Sequence, residues 1–274
     1  MTTKVLVRRH AGVTRATHWI NVAAVTLLLM SGLQIFNAHA ALYWGPKSSF
    51  ERPWLSIGAV EHGDALRGVT RIGAARFDTT GVLGASGPHA RTPRAFPAWA
   101  TVPSWQDLAT GRRWHFFFAW VLVINGLAYL AWGLGGGHIR RDLWPTRADL
   151  SPGHLWREVV DHARLRFPKG EAARRYNVLQ KAAYLAVVLV LLPLMVLTGL
   201  CMSPGFDAGA PWLVDFFGGR QSARTIHFIT AWAIVAFILV HLVMVVASGT
   251  WNNIRSMITG RYAIVPDETL GDVP

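Results

Sequence analysis

Two histidines, His227 and His241, lie fourteen residues apart in a stretch without charged residues, 225–254. Fourteen residues is close to four turns of an α-helix, so both imidazoles leave the same face of such a helix. At about 1.5 Å per residue they are separated by roughly 21 Å along the helix axis, about two-thirds of a hydrocarbon core. A helix with this spacing can hold two metal centres, one near each surface of a membrane.

The apolar residues of the chain are concentrated rather than dispersed. Hydrophobic residues make up 52% of the 274 residues, and four runs lack Asp, Glu, Lys and Arg: 16–46, 114–138, 182–206 and 225–254. Each run exceeds the roughly 20 residues that cross a bilayer as a helix. We therefore predict an all-α integral membrane protein, a bundle of four transmembrane helices at about 17–36, 114–134, 178–201 and 224–248.

Two further histidines belong to the same pattern. His18 and His115 lie in the first turns of the first and second predicted spans, whereas the other seven of the eleven histidines lie in loops or at span edges. A titratable side chain at membrane depth is costly and indicates a function. With a cytoplasmic N-terminus, the direction of each span places His18 and His241 near the inner surface and the other two near the outer surface. The predicted pairs are His18 with His241 and His115 with His227.

Two imidazoles on one iron leave no open coordination position, which is typical of a b-type haem that transfers electrons. We predict that the bundle encloses two such haems. Zinc or copper is a rival interpretation, but pairs about 20 Å apart would supply only two ligands each. Helix–helix hydrogen bonds can explain one histidine in a span, but less readily four at matched depths. The single cysteine, Cys201, excludes an internal disulfide, a cysteine-ligated iron–sulfur cluster and two-cysteine attachment of a c-type haem.

Several residues near the four histidines have two interpretations. Gly32 follows His18 by fourteen residues and either leaves room for a macrocycle or permits close helix packing. Four arginines either pair with haem propionates or anchor the chain at the interface: Arg15, Arg112, Arg113 and Arg224. Three residues at the depth of the inner pair either contact a quinone or belong to interfacial structure: Trp19, Asn21 and Trp251.

The distribution of lysine and arginine predicts the orientation. The N-terminal segment has four, the connection 135–177 has nine, and the short third loop has two. Because basic loops favour the cytoplasmic side, we place both termini, 135–177 and the tail 249–274 in the cytoplasm, and the long loop 37–113 outside. The net charge of +12 is assigned to these flanks and to lipid head groups rather than to nucleic-acid binding.

The long first loop, 37–113, is rich in Gly, Pro and Arg and has no sustained apolar period. We predict short helices and turns there that cap the bundle or dock a partner, and no large domain. An amphipathic helix is predicted at 154–167, on the cytoplasmic surface. The first span has the basic start of a signal peptide and small residues at positions 38 and 40, but its uncharged run is longer than a signal core, so we predict a retained helix.

These residues resemble a known family of membrane cytochromes. Arg15-Ala-Thr-His18-Trp19 opens the first span, Trp114-His115 opens the second, and the fourth carries the fourteen-residue spacing. In these features the chain is similar to the di-haem b-type cytochrome subunits of bacterial formate dehydrogenases, nickel–iron hydrogenases and thiosulfate-reductase-type molybdoenzymes. The run 31–45 looks like the thiosulfate reductase cytochrome b subgroup, whereas the long first loop departs from the hydrogenase and formate dehydrogenase pattern.

The resemblance implies haem ligation by His18, His115, His227 and His241. It also implies a subunit of the bacterial inner membrane that carries electrons between a quinone pool and a periplasmic redox enzyme, most similar to the molybdopterin type. Three alternatives stay open: a hydrogenase cytochrome subunit, a stand-alone superoxide or metal reductase that uses the same haems, and a non-redox anchor or transporter. The length of the first loop argues against a stand-alone protein, and uncharged spans argue against a transporter.

Overall fold

The computed structural model describes residues 4–63, 65–87, 92–167 and 176–265. His89, three basic residues of the second loop (Lys169, Arg174 and Arg175) and residues 266–274 of the predicted tail lie outside the described residues. Most of the described chain is helical, with short strands between and beside the helices.

Four helical segments are long and apolar enough to cross a membrane. The helices are α1 (Gly12–Ala38), α2 (Leu108–Gly135), α3 (Pro152–Ala163), α4 (Val178–Ala186), α5 (Leu192–Cys201), α6 (Pro204–Gly209), α7 (Pro211–Phe216), α8 (Arg220–Ala247) and α9 (Thr250–Thr259). The candidate spans are α1, α2, α8 and the segment Val178–Cys201, with 27, 28, 28 and 24 residues. The predicted number of spans is confirmed. Three of them begin four to six residues before the predicted bounds, because their first turns carry polar residues that the apolar runs exclude.

The third span changes geometry midway. Val187–Leu191 is a π-helical segment between α4 and α5. Pro193, in the first turn of α5, has no N–H for the carbonyl four residues earlier, and its ring crowds that carbonyl. A local π-type turn is one way in which a helix accommodates such a break.

The chain divides into two compact units, and each unit contains one part of every span. Unit 1 comprises Met1–Ile20, Asn125–Leu192 and Ala233–Pro274, and unit 2 comprises Asn21–Ile124 and Pro193–Trp232. His18 and His241 therefore belong to unit 1, whereas His115 and His227 belong to unit 2. Each predicted histidine pair lies inside a single unit.

The long first loop contains six strands and a small antiparallel sheet. The described strands are β1 (Val5–Arg8), β2 (Ala41–Leu42), β3 (Leu55–His62), β4 (Ala65–Ile72), β5 (Ala75–Asp78), β6 (Gly84–Ser86), β7 (Thr92–Arg94) and β8 (Arg261–Ile264). Strands β2, β3, β4 and β5 form an antiparallel sheet in that order, and β6 pairs with β7. The expectation of short helices and turns in 37–113 missed these strands, although one short helical turn, Ala98–Ala100, is present. The protein is mostly helical rather than all-α.

The strands were missed because they are short and their hydrophobic alternation is weak. Ile72 pairs with Ala75, so only two residues connect β4 to β5, and one of them is Gly73 with a φ of 58°. A two-residue connection that contains glycine is a hairpin signal. The alternation beside it covers only β4, where Gly68 and Thr70 are buried. An eight-residue strand gives too few repeats for a sustained period to appear.

An apolar core attaches the sheet to the helices within unit 2. Its buried members are Phe36, Leu42, Ile57, Ala95 and Phe96. Phe228 of α8 packs against this core and stacks on Phe36, with ring centres 4.8 Å apart. Because Phe228 directly follows His227, the sheet supports the part of α8 that carries this histidine.

A buried arginine adds a polar connection between β7 and α1. Arg94 is only 6% exposed. Its Nη2 donates to Gln34 Oε1 at 3.2 Å and to Thr101 Oγ1 at 2.9 Å, and its Nη1 donates to the carbonyl oxygen of Ser104 at 2.7 Å. These three neutral acceptors compensate the buried guanidinium, and because one lies on α1 and two lie in the loop, the network holds the loop on the helix.

The two ends of the described chain meet in unit 1. Strand β1 pairs antiparallel with β8, and Arg8 lies directly opposite Arg261. Val7 and Ile264 are buried in this small sheet, with Tyr262 packed against them. The amphipathic helix expected at 154–167 overlaps α3, which ends earlier, at Ala163.

We expect Gly68→Ala to disrupt the four-stranded sheet. A Cβ at position 68 would overlap the carbonyl oxygen of Leu83 and lie 2.9 Å from the backbone nitrogen of Ala85, neither of which can move freely. Gly58→Ala is the matched control, since a Cβ there meets nothing within 4 Å. Overpacking of this kind costs about 1–3 kcal/mol. Trypsin should therefore cut after Arg67 and Arg71 faster in the Gly68 variant than in the Gly58 variant, and equal rates would contradict the prediction.

Candidate functional site

The structure brings His115 and His227 together in unit 2. His115 lies on α2 and His227 on α8, and their ring centres are 6.3 Å apart with an angle of 60° between the ring planes. Asp107 caps the start of α2, where its carboxylate accepts a hydrogen bond from the N–H of Thr110 at 3.0 Å. The hydrogen bonds from Thr110 hold the pKa of Asp107 below its usual range. This cap fixes the first turns of the helix that presents His115.

His18 and His241 come together in unit 1 with nearly the same geometry. His18 lies on α1 and His241 on α8, and their ring centres are 6.4 Å apart with an angle of 58°. Asn125 of α2 donates from Nδ2 to the carbonyl oxygen of Thr17 at 2.9 Å and so holds α1 beside α2 one residue before His18. The structure therefore brings His18 close to His241 and His115 close to His227.

Both pairs have the spacing of two imidazoles on one metal ion. A metal–imidazole bond is about 2 Å long, and the nitrogen lies about 1 Å from its ring centre, so opposed rings have centres roughly 6 Å apart. The observed separations of 6.3 and 6.4 Å agree with this value. The residues present therefore fit a haem held by two histidines at each pair. Among the described residues, no group of three or more His, Cys, Asp or Glu side chains is arranged to hold a metal ion.

The proton positions on His115 and His227 follow from their neighbours. The carbonyl oxygen of Leu28 lies 3.2 Å from Nδ1 of His115, and a carbonyl can only accept, so this nitrogen carries the proton. Ser31 Oγ donates to the carbonyl oxygen of Leu27 at 2.6 Å, which leaves its oxygen to accept from His115 Nδ1 at 3.2 Å. The Nε2 atom of His115 is thereby left with a lone pair for a metal.

Thr198 does the same for His227. Its Oγ1 donates to the carbonyl oxygen of Leu194 at 2.6 Å and accepts from Nδ1 of His227 at 3.0 Å. Ser31 and Thr198 are both fully buried. Neither hydroxyl was identified from the sequence, although each is the kind of acceptor that usually orients a ligand histidine.

A glycine follows each of these hydroxyl residues and faces the same imidazole. A Cβ at Gly32 would lie 3.3 Å from Cε1 of His115, and a Cβ at Gly199 would lie 3.5 Å from Cε1 of His227. The sequence carries this signal twice, as Ser31-Gly32 in α1 and Thr198-Gly199 in α5. Gly32 was identified from its spacing to His18, whereas Gly199 was missed because no histidine of its own span pointed to it.

The surroundings of His18 and His241 are aromatic instead. Phe237 stacks on His241 with ring centres 5.9 Å apart, and Trp19 meets His18 edge-on at 5.2 Å. Tyr184 in turn packs edge-on against Phe237 at 6.5 Å. Nδ1 of His18 is buried and has no hydrogen-bond partner among the described residues. The two pairs therefore share their metal-binding spacing but differ in what surrounds the rings.

The four arginines considered as propionate partners have local contacts. Arg224 donates to the carbonyl oxygens of Ala41, at 2.9 Å, and His39. Arg15 donates to the carbonyl oxygen of Ile258. Arg112 lies over the ring of Phe116 at 5.5 Å, and Arg113 donates to Thr110 Oγ1 at 3.2 Å. Arg224 and Arg15 thus stabilise backbone near the ligand-bearing helices, while the other two are exposed.

The three residues considered for a quinone are distributed over both units. The indole N–H of Trp19 donates to the carbonyl oxygen of Met257 at 3.0 Å, which ties α1 to α9. Trp251, in the first turn of α9, is 75% exposed and lines a cleft of about 470 Å³. Asn21 is half-buried on α1 and belongs to unit 2.

The chain is similar to several known proteins. The family model described as prokaryotic cytochrome b561 matches residues 9–260, a range that includes all four histidines. The putative protein-methionine-sulfoxide reductase subunit YedZ1 of Azospira oryzae is 28% identical over 231 residues, which is 84% of this chain and 86% of that protein. A probable Ni/Fe-hydrogenase B-type cytochrome subunit of Cupriavidus necator is 28% identical over 165 residues, 55% of this chain and 62% of that protein. A subunit of the same description from Azotobacter vinelandii is 28% identical over 169 residues, 56% of this chain and 68% of that protein.

We expect Thr198→Val to change the redox behaviour of a haem held by His115 and His227 without removing it. Loss of the hydroxyl acceptor makes the imidazole a weaker donor to ferric iron, so the midpoint potential should rise, by up to about 60 mV for a tenfold change in relative affinity. Thr26→Val is the matched control, because Thr26 Oγ1 bonds only to the carbonyl oxygen of Val22 among the described residues. Redox titration of the visible haem bands measures the shift, and equal potentials in both variants would refute the role of Thr198.

Proposed function

The chain belongs to the prokaryotic cytochrome b561 family and is a multi-pass membrane b-type cytochrome of electron transfer, and we propose that it holds two b haems. In this proposal it carries electrons across the bacterial inner membrane between a quinone pool and a periplasmic redox enzyme. The observation that carries the proposal is the presence of two histidine pairs, each at a ring spacing of about 6.3–6.4 Å, with one member of each pair on α8.

In the proposed function, the protein has to hold the haems and to keep water away from them. Haem b with two imidazole ligands supplies a one-electron carrier that has no open position for oxygen. Ser31 and Thr198 keep the Nδ1 protons of their histidines in place, so that Nε2 faces the metal position. Gly32 and Gly199 leave space beside the imidazoles. The apolar spans keep water away from the pairs.

We propose the orientation with both termini in the cytoplasm and the sheet-bearing loop outside. The support is the high density of lysine and arginine in 135–177 compared with the short third loop. In this orientation His18 and His241 are the inner pair, and His115 and His227 are the outer pair. The sheet of the first loop packs through Phe36 onto Phe228, so it would meet a periplasmic partner beside the outer pair.

We propose that quinone reacts near the inner pair, with Trp19, Asn21 and Trp251 as candidate contacts. The cleft beside Trp251 supports this placement, because its volume of about 470 Å³ is in the range of small-molecule sites. The hydrogen bond from Trp19 to Met257 favours a structural role for Trp19, so Trp251 is the strongest of the three candidates.

The proposed partner is a periplasmic oxidoreductase, and the molybdopterin type is our first candidate. A relative named as a reductase subunit matches 84% of this chain. A hydrogenase partner is the second candidate, since relatives named as hydrogenase cytochrome subunits match about half of the chain. A stand-alone quinone oxidoreductase is less well supported, because the three relatives named above are each described as a subunit.

We expect two haems b per chain in the purified protein and one after loss of either pair. His115→Ala or His227→Ala should remove the haem of unit 2, and His18→Ala or His241→Ala should remove that of unit 1, because one imidazole alone holds the iron weakly. His62→Ala, at an exposed strand position, is the control and should keep both. Pyridine haemochrome assay per mole of chain gives the count. A wild-type protein without b-type absorption would overturn the proposal.

We expect quinol to reduce the remaining haem of His115→Ala but not that of His18→Ala. In the first variant the inner pair is intact beside the proposed quinone site, whereas in the second only the outer pair remains. Stopped-flow reduction by a soluble quinol analogue, with dithionite as the chemical control, separates the two cases. Equal quinol reduction in both variants would show that quinone does not react at the inner pair.

A further inference from the structure

A cationic cleft opens in unit 1 where the ends of the described chain meet. It has a volume of about 620 Å³ and lies between β1, the start of α1 and the turn that joins α9 to β8. Three arginines line it, together with one histidine and one leucine: Arg8, Arg15, Arg261, His10 and Leu6. Of these residues, only Arg15 was considered above, as a partner of a haem propionate.

The arginines of the cleft lie close enough to repel one another. Arg8 and Arg261 are directly opposite in the β1–β8 pair, where side chains are about 5 Å apart at their Cβ atoms and like charges destabilise the pairing. Among the described residues, no carboxylate forms an ion pair with either of them or with Arg15. Such a cluster is stabilised when an anion lies between the guanidinium groups.

Arg15 also has a nitrogen atom without a hydrogen-bond partner among the described residues. Its Nη1 donates to the carbonyl oxygen of Ile258, but its Nε is buried and has no partner among the described residues. Gly260, with a φ of 80°, brings the backbone against this side chain, since a Cβ there would lie 3.4 Å from Nε. The guanidinium of Arg15 is thus held by neutral backbone, and one buried N–H has no partner among the described residues. Its positive charge is therefore open to compensation by an external anion.

His10 contributes a hydrogen-bond donor rather than another charge. Burial first, and then the nearby Arg9, His18 and Arg15, lower the pKa of His10 to about 4, so the ring is neutral at pH 7. Burial raises the pKa of Tyr176, and its protonated hydroxyl lies 3.1 Å from Nδ1 of His10, where either group can be the donor. The neutral ring of His10 keeps one N–H and adds no further positive charge to the cleft.

The position of the cleft indicates which kind of anion it meets. Arg15 is in the first turn of the span α1, and the uncharged run begins at the next residue. On the other side, α9 and β8 directly follow the end of the span α8. The cleft therefore lies where a span leaves the hydrocarbon, at the level of lipid head groups. Leu6, which is 50% exposed, gives the lining of the cleft an apolar surface for an acyl chain or glycerol.

We propose that this cleft binds the phosphate of an anionic phospholipid, with Arg8, Arg15 and Arg261 as its cationic ligands. The inference needs the membrane location of the chain but not the proposed electron path. Inorganic phosphate has the same chemistry without the apolar part. The acidic residues that follow β8 in the sequence, Asp267, Glu268 and Asp272, are another source of negative charge.

Lipid binding to the purified haem-loaded protein in a neutral detergent tests the proposal. Native mass spectrometry would follow titration with phosphatidylglycerol, with phosphatidylcholine and with inorganic phosphate. The test variant is Arg8→Gln with Arg261→Gln, and the matched control is Arg140→Gln with Arg157→Gln, two exposed arginines of unit 1. A third variant carries Asp267→Asn, Glu268→Gln and Asp272→Asn.

The expected result is selective binding of phosphatidylglycerol by the wild type and by the control pair. Each arginine removed should weaken this binding about fivefold, so the double variant should lose roughly 25-fold. Without lipid, the double variant should melt at a temperature equal to or above that of the wild type, because the cross-strand repulsion is gone. Addition of phosphatidylglycerol should then raise the melting temperature of the wild type and of the control pair, but not that of the Arg8→Gln with Arg261→Gln variant.

Three outcomes would overturn the proposal. Equal binding of both lipids, or an equal loss in the control pair, would show that no specific phosphate site exists. A gain in melting temperature from inorganic phosphate equal to that from phosphatidylglycerol would assign the site to a free anion. Tighter phosphatidylglycerol binding after neutralisation of the three acidic residues, with a lower melting temperature before lipid is added, would identify the chain's own acidic end as the occupant.

Discussion

An imidazole placed inside an apolar helix needs partners for both of its ring nitrogens, and this requirement organises the site. For His115 and His227, one nitrogen is satisfied by a buried hydroxyl and the other is left facing its opposite ring. These remaining nitrogens carry no proton, and a metal ion bound by both rings would satisfy them. The sheet, the caps and the glycines can each be understood by how they hold these rings at that separation.

The two histidine pairs solve the same problem by different means. In unit 2, hydroxyl–glycine dipeptides on α1 and α5 supply an acceptor and a bare surface to each ring. In unit 1, aromatic rings take that place, with Phe237 against His241 and Trp19 against His18. A hydrogen-bonded imidazole donates more strongly to a metal than one packed against hydrocarbon. Two haems with unequal midpoint potentials on one chain would favour one direction of electron flow. The difference would arise from the groups that contact the histidines rather than from the histidines themselves.

Arginine has three different structural roles outside the hydrocarbon. Arg94 is buried and joins the first loop to α1 through neutral acceptors. Arg224, near the start of α8, donates to two backbone carbonyl oxygens just after the end of α1 and so connects the two helices. Arg8 and Arg261 instead face each other across a strand pair, and no carboxylate among the described residues neutralises them. The net charge of the chain is thus divided between packing, topology and a cleft that suits an anion.

The sequence by itself determined the four spans and the four histidines that belong together. An apolar run of this length satisfies its backbone in a bilayer as a helix, and the helical rise per residue then sets the depth of each histidine from its position in the run. The β-structure of 37–113 did not follow from the same reading, since short strands are stabilised by partners such as Gly68 and Ala85 that lie far apart in the sequence. Likewise, Thr198, Gly199 and the opposition of Arg8 to Arg261 became visible only in the tertiary structure. Depth depends on one helix at a time, whereas a hydrogen bond to a ring nitrogen depends on which neighbouring helix is rotated towards it.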